Sequence, residues 1–357
     1  MDLIPRRITI RDIAKKSGFH YSTVSLALRG EPRLPAETRK KILRVAREAG
    51  YSPDPMMKAL AFYRNAIRPP TYHSTLAWLV NDSKSVFHLR TSFSAYLEGA
   101  QQRAGELGYK LEEFLLRKPG MTPALMAQVL ENRGIAGILI HPQPGARMQM
   151  RIRMDWSSFA AVSFGYSLAF PSFHRVTNHH FRTVKLTVRK LYSFGYRRIG
   201  LCVHRIWNGR VDGAWVGGYF SEIASGRKAC RIDPLLVEGW EKTRILDWIR
   251  ANRLDAVIVD ETHFIDLISE SPGFSVPQKL GAVSLGVTRD DTVHSGVDQN
   301  EIEIGRAAVD HLVQLLHSHR RGIPLIPQNI LIEGTWRENR TTRRINLSES
   351  KGKKFPV

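Results

Sequence analysis

Ile8-Thr-Ile-Arg-Asp-Ile-Ala-Lys-Lys-Ser-Gly-Phe-His-Tyr-Ser-Thr-Val-Ser-Leu-Ala-Leu-Arg-Gly30 is the stretch whose reading decides the architecture of this chain. Thr9 followed three residues later by Asp12 is a capping-box pattern, in which the two side chains satisfy free N–H groups at a helix start. Ile10, Ile13 and Ala14 then recur at helical spacing and give that helix one apolar face. Ser17-Gly18 stops it, because glycine takes the left-handed backbone of a helix end without steric cost. Phe19 is placed to fill the gap between two helices. A second helix is expected from about Tyr21 to Leu28, with Val24, Ala27 and Leu28 inside and Tyr21, Ser22, Ser25, Leu26 and Arg29 outside. Two short helices joined at a glycine turn make a helix-turn-helix, whose second helix fits the major groove of DNA.

A third helix follows. Pro35 suits its first turn. Ile42, Val45, Ala46 and Ala49 make one apolar stripe, which Gly50 ends, and Arg39, Lys40, Lys41, Arg44 and Arg47 face outward. Next comes Tyr51-Ser-Pro-Asp-Pro-Met-Met-Lys-Ala-Leu-Ala61, a short amphipathic turn that is too brief to be stable alone in water and is expected to order on docking. Residues 1–70 hold 15 Lys+Arg against 6 Asp+Glu, a net of +9, within a chain of formal net charge +20. Basic charge alone is commonly a solvated surface. Concentrated on a helix-turn-helix, it favours a polyanionic partner, double-stranded DNA.

Residues 8–62 resemble the DNA-binding headpiece of the lactose-repressor (LacI/GalR) family. The matching residues are Thr9-Ile-Arg-Asp-Ile-Ala14, Gly18, Tyr21, Thr23-Val24-Ser25, Thr38-Arg39, Gly50-Tyr51-Ser-Pro53 and Ala59-Leu60-Ala61. The resemblance implies that Tyr21, Ser22 and Leu26 face base edges, that Thr9, His20, Ser25 and Arg29 sit near phosphates, and that Thr23 belongs to the same DNA-facing set. It makes Leu60 a wedge entering the minor groove from a hinge helix. Two positions depart from the family pattern. Leu26 stands where many members carry Arg, so apolar contact, as with a thymine methyl, replaces a bidentate contact to guanine. Arg29 stands where Asn is frequent and adds a charge for phosphate.

Beyond residues 63–74, which read as a linker through Arg64, Arg68, Pro69 and Pro70, β-rich runs alternate with helical patterns. Strands are expected at Ser74–Val80, Leu111–Leu116, Ile135–Ile140, Ala160–Phe164, Ile199–Val203, Ala256–Val259 and Gly281–Leu285. Helices are expected at Phe93–Leu107, Pro123–Asn132, Phe181–Phe194, Gly213–Ala224, Lys242–Ala251 and Glu301–His317. Alternation of this kind implies parallel sheets with right-handed crossovers. It occurs twice, with a break near Ser172–His179, so a two-lobed clamshell with a ligand cleft is expected. The family resemblance continues here through Leu97-Glu-Gly-Ala-Gln, Leu107-Gly-Tyr109, Gly137-Ile-Leu-Ile140, Gly195-Tyr-Arg-Arg-Ile-Gly-Leu201, Asp298-Gln299, Ile304-Gly305 and Glu333-Gly-Thr335, which are similar to landmarks of a periplasmic-binding-protein-like core.

The expected fold class is thus a small all-α helix-turn-helix headpiece plus an α/β two-lobed core. Its expected boundaries are 1–50 for the headpiece, 51–73 for hinge helix and linker, 74–336 for the effector-binding and dimerisation core, and 337–357 for a basic tail. For an effector, Phe93, Phe164 and Trp215 are candidates for ring stacking, and Arg210, Asp212 and Asp298 for hydrogen bonding. Each is weighed against plain packing or surface placement. Sugar-binding members often carry Arg and Asp where this chain has Trp215 and Val287-Thr288, so carbohydrate is one class implied by the resemblance and not the pattern of these residues.

Other classes find little support. Cys202 and Cys230 make neither a disulfide framework nor a zinc site. The adjacent His179-His180 pair points two ways on a helix, and no metal or cofactor is expected. GxSxG, GxxxxGK[ST] and HExxH motifs are absent, so no catalytic residue is assigned. Met1-Asp-Leu-Ile-Pro-Arg-Arg lacks the apolar core of a secretory signal, and no apolar run spans a membrane, so a cytoplasmic location is expected. The expected function is a homodimeric transcriptional regulator, a repressor by family resemblance, that binds a pseudo-palindromic operator and responds to a small molecule. The competing expectation is a cytosolic solute-binding protein or sugar-related enzyme with a basic docking headpiece. The basic C-terminal stretch lacks a leucine heptad, which argues against a tetramer.

Overall fold

The computed structural model describes residues 8–28, 34–51, 74–84, 94–143, 150–225, 230–239 and 241–345. The chain divides into two compact units, a helical headpiece and an α/β core.

The headpiece contains α1 (Ile10–Ser17), α2 (Tyr21–Leu28) and α3 (Ala36–Glu48). The capping box at α1 is formed. The Thr9 N–H donates to Asp12 Oδ2 at 2.8 Å and the Asp12 N–H donates to Thr9 Oγ1 at 3.3 Å. Such a cap stabilises by about 1 kcal/mol. Gly18, at φ 74°, closes α1 by returning its N–H to the Ala14 carbonyl. Pro35 caps α3 from just outside, one position before the expected one. Ile13, Val24, Ala27, Ile42 and Ala46 converge from the three helices into one small core, with Phe19 and Leu28 packed against it. Burial of each large aliphatic there contributes about 1.5–3 kcal/mol. That term, rather than helix propensity, holds three helices this short together.

In the core, β1 (Ser74–Val80), β2 (Tyr109–Leu115), β3 (Gly137–Ile140), β5 (Ala160–Phe164), β7 (His174–Asn178) and β13 (Asn329–Ile332) build the first lobe's sheet. Its order is β13-β7-β5-β3-β1-β2, and every pairing is parallel. The second lobe's sheet is built from β8 (Ile199–His204), β9 (Leu235–Val237), β10 (Ala256–Val259), β11 (Gly281–Ser284), β12 (Ser295–Asp298) and β14 (Thr335–Arg337). Its order is β14-β12-β11-β10-β8-β9, with only β14 antiparallel. A small parallel pair, β4 (Met150–Arg151) and β6 (Leu168–Phe170), adds to the first lobe. The central strands β3, β5, β8, β10 and β11 are buried at every position. Covered on both faces, such strands read as continuous apolar runs rather than alternating ones.

Helices α4 (Ser94–Glu106) and α5 (Pro123–Asn132) belong to the first lobe. The second lobe carries α6 (His180–Ser193), α7 (Arg205–Arg210), α8 (Ala214–Ala224), α9 (Lys242–Ala251) and α10 (Thr262–Ser269). The last helix, α11 (Glu301–His317), returns to α4. Glycines let the two helices touch by their backbones. A Cβ on Gly99 would lie 2.0 Å from the Ile302 carbonyl oxygen, and one on Gly305 would lie 2.1 Å from that of Tyr96. Arg306 bonds Glu106 at 2.8 Å, and Arg103 bonds Asp310 at 2.7 Å, along the same contact.

Two expectations are corrected. The break at Ser172–His179 is largely strand β7, and the chain crosses between lobes three times: after β7, after β12 and after β13. The polar letters of His174-Arg-Val-Thr-Asn178 disguised a strand whose polar groups are bonded internally. The His174 ring accepts the Gln328 N–H at 3.0 Å, and Thr183 Oγ1 donates to Asn178 Oδ1 at 2.7 Å. Residues 337–345 of the expected basic tail are packed into the second lobe. Thr341 and Thr342 are buried, the Thr341 carbonyl accepts from the Ala282 N–H, and the Ile345 N–H donates to the Phe194 carbonyl at 2.7 Å. Residues 346–357 lie outside the described ones.

Candidate functional site

The first candidate surface is the outer side of α2. Val24 and Ala27 are buried, which turns Tyr21 (49% exposed), Ser22 and Leu26 (36% exposed) away from the core. Thr23 and Ser25 lie partly exposed beside them. His20 precedes the helix and caps it. Its Nδ1 accepts the Ser22 N–H at 3.4 Å and lies 2.8 Å from Ser22 Oγ. A ring nitrogen used as an acceptor leaves Nε2 as the donor of the neutral imidazole, available to an anion. Thr9 is exposed at the start of α1, where its cap bonds orient it. Arg11, Lys15 and Lys16 of α1, and Lys40, Lys41, Arg44 and Arg47 of α3, are exposed on the same headpiece. Arg29 and Leu60 lie outside the described residues.

The second candidate lies where strand ends of the two lobes meet. Arg210, at the end of α7, is buried and donates from NH2 to the Gln143 carbonyl of the first lobe at 2.8 Å. Its guanidinium stacks 5.1 Å from the Trp207 ring centre, and burial lowers its affinity for a proton. Gln143 is itself fixed by the Asn81 amide at 2.8 Å and the Ser167 hydroxyl at 2.9 Å.

The other effector candidates named from the sequence fall into different environments. Phe164 is buried at the end of β5, stacked on Tyr96 at 5.4 Å and tilted against Trp78 at 5.3 Å. Trp215 is buried against the His180 ring at 5.9 Å. Asp298 lies at the end of β12, where its carboxylate accepts from Arg337 at 2.9 Å and from the Asn300 N–H at 2.8 Å. It therefore holds the crossing segments, together with Asn178, whose amide donates to the Ile332 carbonyl at 3.1 Å, and Asn300, whose amide donates to the Glu333 carbonyl at 2.7 Å. Asp212 is exposed with a left-handed backbone, φ 58°. Phe93 lies outside the described residues.

A pair that sequence reasoning missed sits at the ends of β8 and β10. His204 Nδ1 lies 3.0 Å from Asp260 Oδ2, which also accepts the His204 N–H at 2.9 Å. The hydrogen bond to Asp260 holds the His204 ring above its ordinary proton affinity. Asp260 Oδ1 is buried and has no donor among the described residues. Burial and the neighbouring Asp260 also raise the Glu261 carboxyl. The available signal was position: both residues directly follow an apolar strand run, where α/β folds gather ligand groups.

A helix-turn-helix headpiece with a two-lobed, periplasmic-binding-protein-like α/β core is the class that this fold defines. Comparison with known proteins agrees. Residues 9–54 match the model of bacterial regulatory proteins of the lacI family. The probable HTH-type transcriptional repressor ExuR of Bacillus subtilis (strain 168) is 40% identical over 58 residues, which is 16% of this chain and 17% of ExuR. The maltose regulon regulatory protein MalI of Escherichia coli (strain K12) is 22% identical over 223 residues, which is 62% of this chain and 57% of MalI. The match therefore spans less than two thirds of either relative. Among solved structures, the lac repressor dimer bound to operator and the anti-inducer ONPF superposes with a TM-score of 0.55 at 18% identity, covering 95% of this chain and 100% of that one. The CelR–cellobiose complex gives a TM-score of 0.55 at 16% identity, covering 94% and 100%. The headpiece thus matches the lacI family of bacterial regulatory proteins over residues 9–54, and the whole chain is similar in fold to the lac repressor and CelR structures.

Proposed function

We propose that this protein is a transcriptional repressor that binds a pseudo-palindromic double-stranded DNA operator as a homodimer, under control of a small molecule held between its lobes. The observation that carries the reading is the outer face of α2, where Tyr21, Ser22 and Leu26 project from a helix whose opposite side is locked into the headpiece core. These three residues read bases. Thr9, His20, Thr23, Ser25 and Arg29 hold phosphates or orient the reading helix. Residues 51–73 serve as hinge helix and linker, with Leu60 as the minor-groove wedge.

The effector reading rests on Arg210 and Asp260. Arg210 reaches the Gln143 carbonyl of the other lobe, a contact that a ligand could replace or reinforce. Asp260 Oδ1 is an acceptor with an open valence at a strand end, suited to a hydroxyl donor. A carbohydrate supplies such donors, and CelR, of similar fold, is seen with cellobiose. Phe164, Asp212, Trp215, Asp298 and Phe93 then act as supports of this site rather than as direct contacts. Closure of the lobes on the ligand would change operator affinity by a coupling energy of about 1–3 kcal/mol.

The test is operator affinity against salt. Neutralising Z phosphates gives a log–log slope of roughly −0.9Z, so a steep fall is expected between low and physiological salt. A flat response would rule out DNA as the partner.

A further inference from the structure

A cavity of about 230 Å³ lies in the first lobe, where the end of β2, the start of α5 and strand β4 meet. Leu116, Met121, Pro123 and Ile152 form its apolar wall. Arg117, Arg151 and Arg153 complete its lining and give the cavity three cationic residues. Leu116 and Ile152 are buried, whereas the three arginines are exposed. Among the described residues, none of the three has an ion-pair partner.

Like charges gathered on one apolar cavity repel each other, and an anion carrying two charges relieves that repulsion through bidentate, charge-assisted hydrogen bonds. The apolar wall asks for more than an inorganic ion: it loses water favourably only against a carbon skeleton. The cavity is also wired to the interlobe contact. Arg117 Nε donates to Asn81 Oδ1 at 2.9 Å, Asn81 Nδ2 donates to Gln143 Oε1 at 2.8 Å, and the Gln143 carbonyl receives Arg210 of the second lobe at 2.8 Å. An anion that recruits Arg117 therefore competes with Asn81 for its hydrogen bonds and bears on the residue that touches Arg210.

We propose that this cavity is a second small-molecule site, separate from the interlobe effector site, for an organic dianion with a compact apolar body. It stands on the cavity's own residues and does not depend on DNA binding or on the identity of the effector. Phosphorylated and dicarboxylated molecules share the required chemistry.

Isothermal titration of the full chain at about 0.15 M salt, where surface charge is largely screened, tests it with phenyl phosphate, phthalate and inorganic phosphate. Phenyl phosphate or phthalate is expected to bind once per chain, and the tighter of the two names the head group. The double variant Arg151→Gln/Arg153→Gln is expected to weaken that binding about tenfold or more, as the loss of two charge-assisted contacts requires. Both positions are exposed, so circular dichroism of the variant should match that of the wild type. The basic headpiece is unchanged in the variant, so binding there would survive the substitution. No binding of either organic dianion at millimolar concentration, or equal affinity in wild type and variant, overturns the site. Inorganic phosphate binding as tightly as phenyl phosphate overturns the apolar half of the proposal.

Discussion

Replacing Ile42 with alanine should bring the headpiece close to its unfolding midpoint while leaving the α/β core intact. Ile42 is fully buried, at 0% exposure, in the centre of the cluster formed with Ile13, Val24, Ala27 and Ala46. The substitution removes three carbon atoms beyond Cβ, worth about 2.4 kcal/mol at about 0.8 kcal/mol each. The cavity left behind brings the loss to about 3 kcal/mol, within the range seen for buried Ile to Ala. A fold of this size seldom holds more than about 3–5 kcal/mol of stability in total. The headpiece should therefore stand near its unfolding midpoint at 25 °C. The core's own clusters, around Ile138 and Ile258 among others, do not include Ile42 and should melt as before. Two-dimensional NMR with calorimetry reads both units in one sample: a large share of the headpiece amide signal should move to unfolded positions, the core transition should stay, and specific DNA binding should weaken. A single transition that shifts as a whole would mean that the two units do not melt independently, and DNA binding at wild-type strength would mean that the Ile42 cluster does not hold the reading helix.

The substitution Leu26→Arg should move base preference at one symmetric pair of operator positions toward guanine, by about 1–3 kcal/mol, because a bidentate donor replaces an apolar tip; an unchanged selected motif would show that Leu26 does not face bases. Glu301 supplies a pH test. Burial, with the Asp298 charge nearby, pushes its carboxyl up to about 7. A folded value above the unfolded one means that its contribution to stability is intact below the unfolded value and is lost as pH rises through about 7. Glu301→Gln should therefore raise core stability at about pH 8 and change it little at about pH 4.5, as measured by urea unfolding; the same change at both pH values would sink the idea.

What the sequence reveals about this chain follows the range of the interactions. The capping box of Thr9 and Asp12, the stop at Gly18 and the inner face of Val24 and Ala27 are all set by neighbours within four residues, and they could be read directly. The strands at Ser74–Val80, Ala160–Phe164 and Ala256–Val259 were legible because burial on both faces demands an unbroken apolar run. The network that joins the crossings between the lobes was not legible. Asn178, Asp298, Asn300 and Ile332 are far apart in the chain and become one network only after three crossings are folded. β12 escaped notice for a related reason: Ser295-Gly-Val-Asp298 has one large apolar residue, and its polar ends are satisfied by Thr341, Thr342 and Arg337 from the chain's last described segment. Phe164 shows the opposite case. An aromatic at a strand end suits either a ligand or a core, and only the rings of Tyr96 and Trp78 decide for packing. His204 and Asp260, 56 residues apart, carry no local pattern that links them.

Whether the headpiece reads a two-fold DNA site is decided by selecting bound duplexes from a random pool, using the intact chain with and without candidate sugars. Enrichment of one pseudo-palindromic motif is expected, with two half-sites related by a two-fold axis, weakened by Ile42→Ala and altered at one symmetric pair of positions by Leu26→Arg. Recovery of no common motif, or of a motif that survives the unfolding of the headpiece, would mean that α2 does not read DNA.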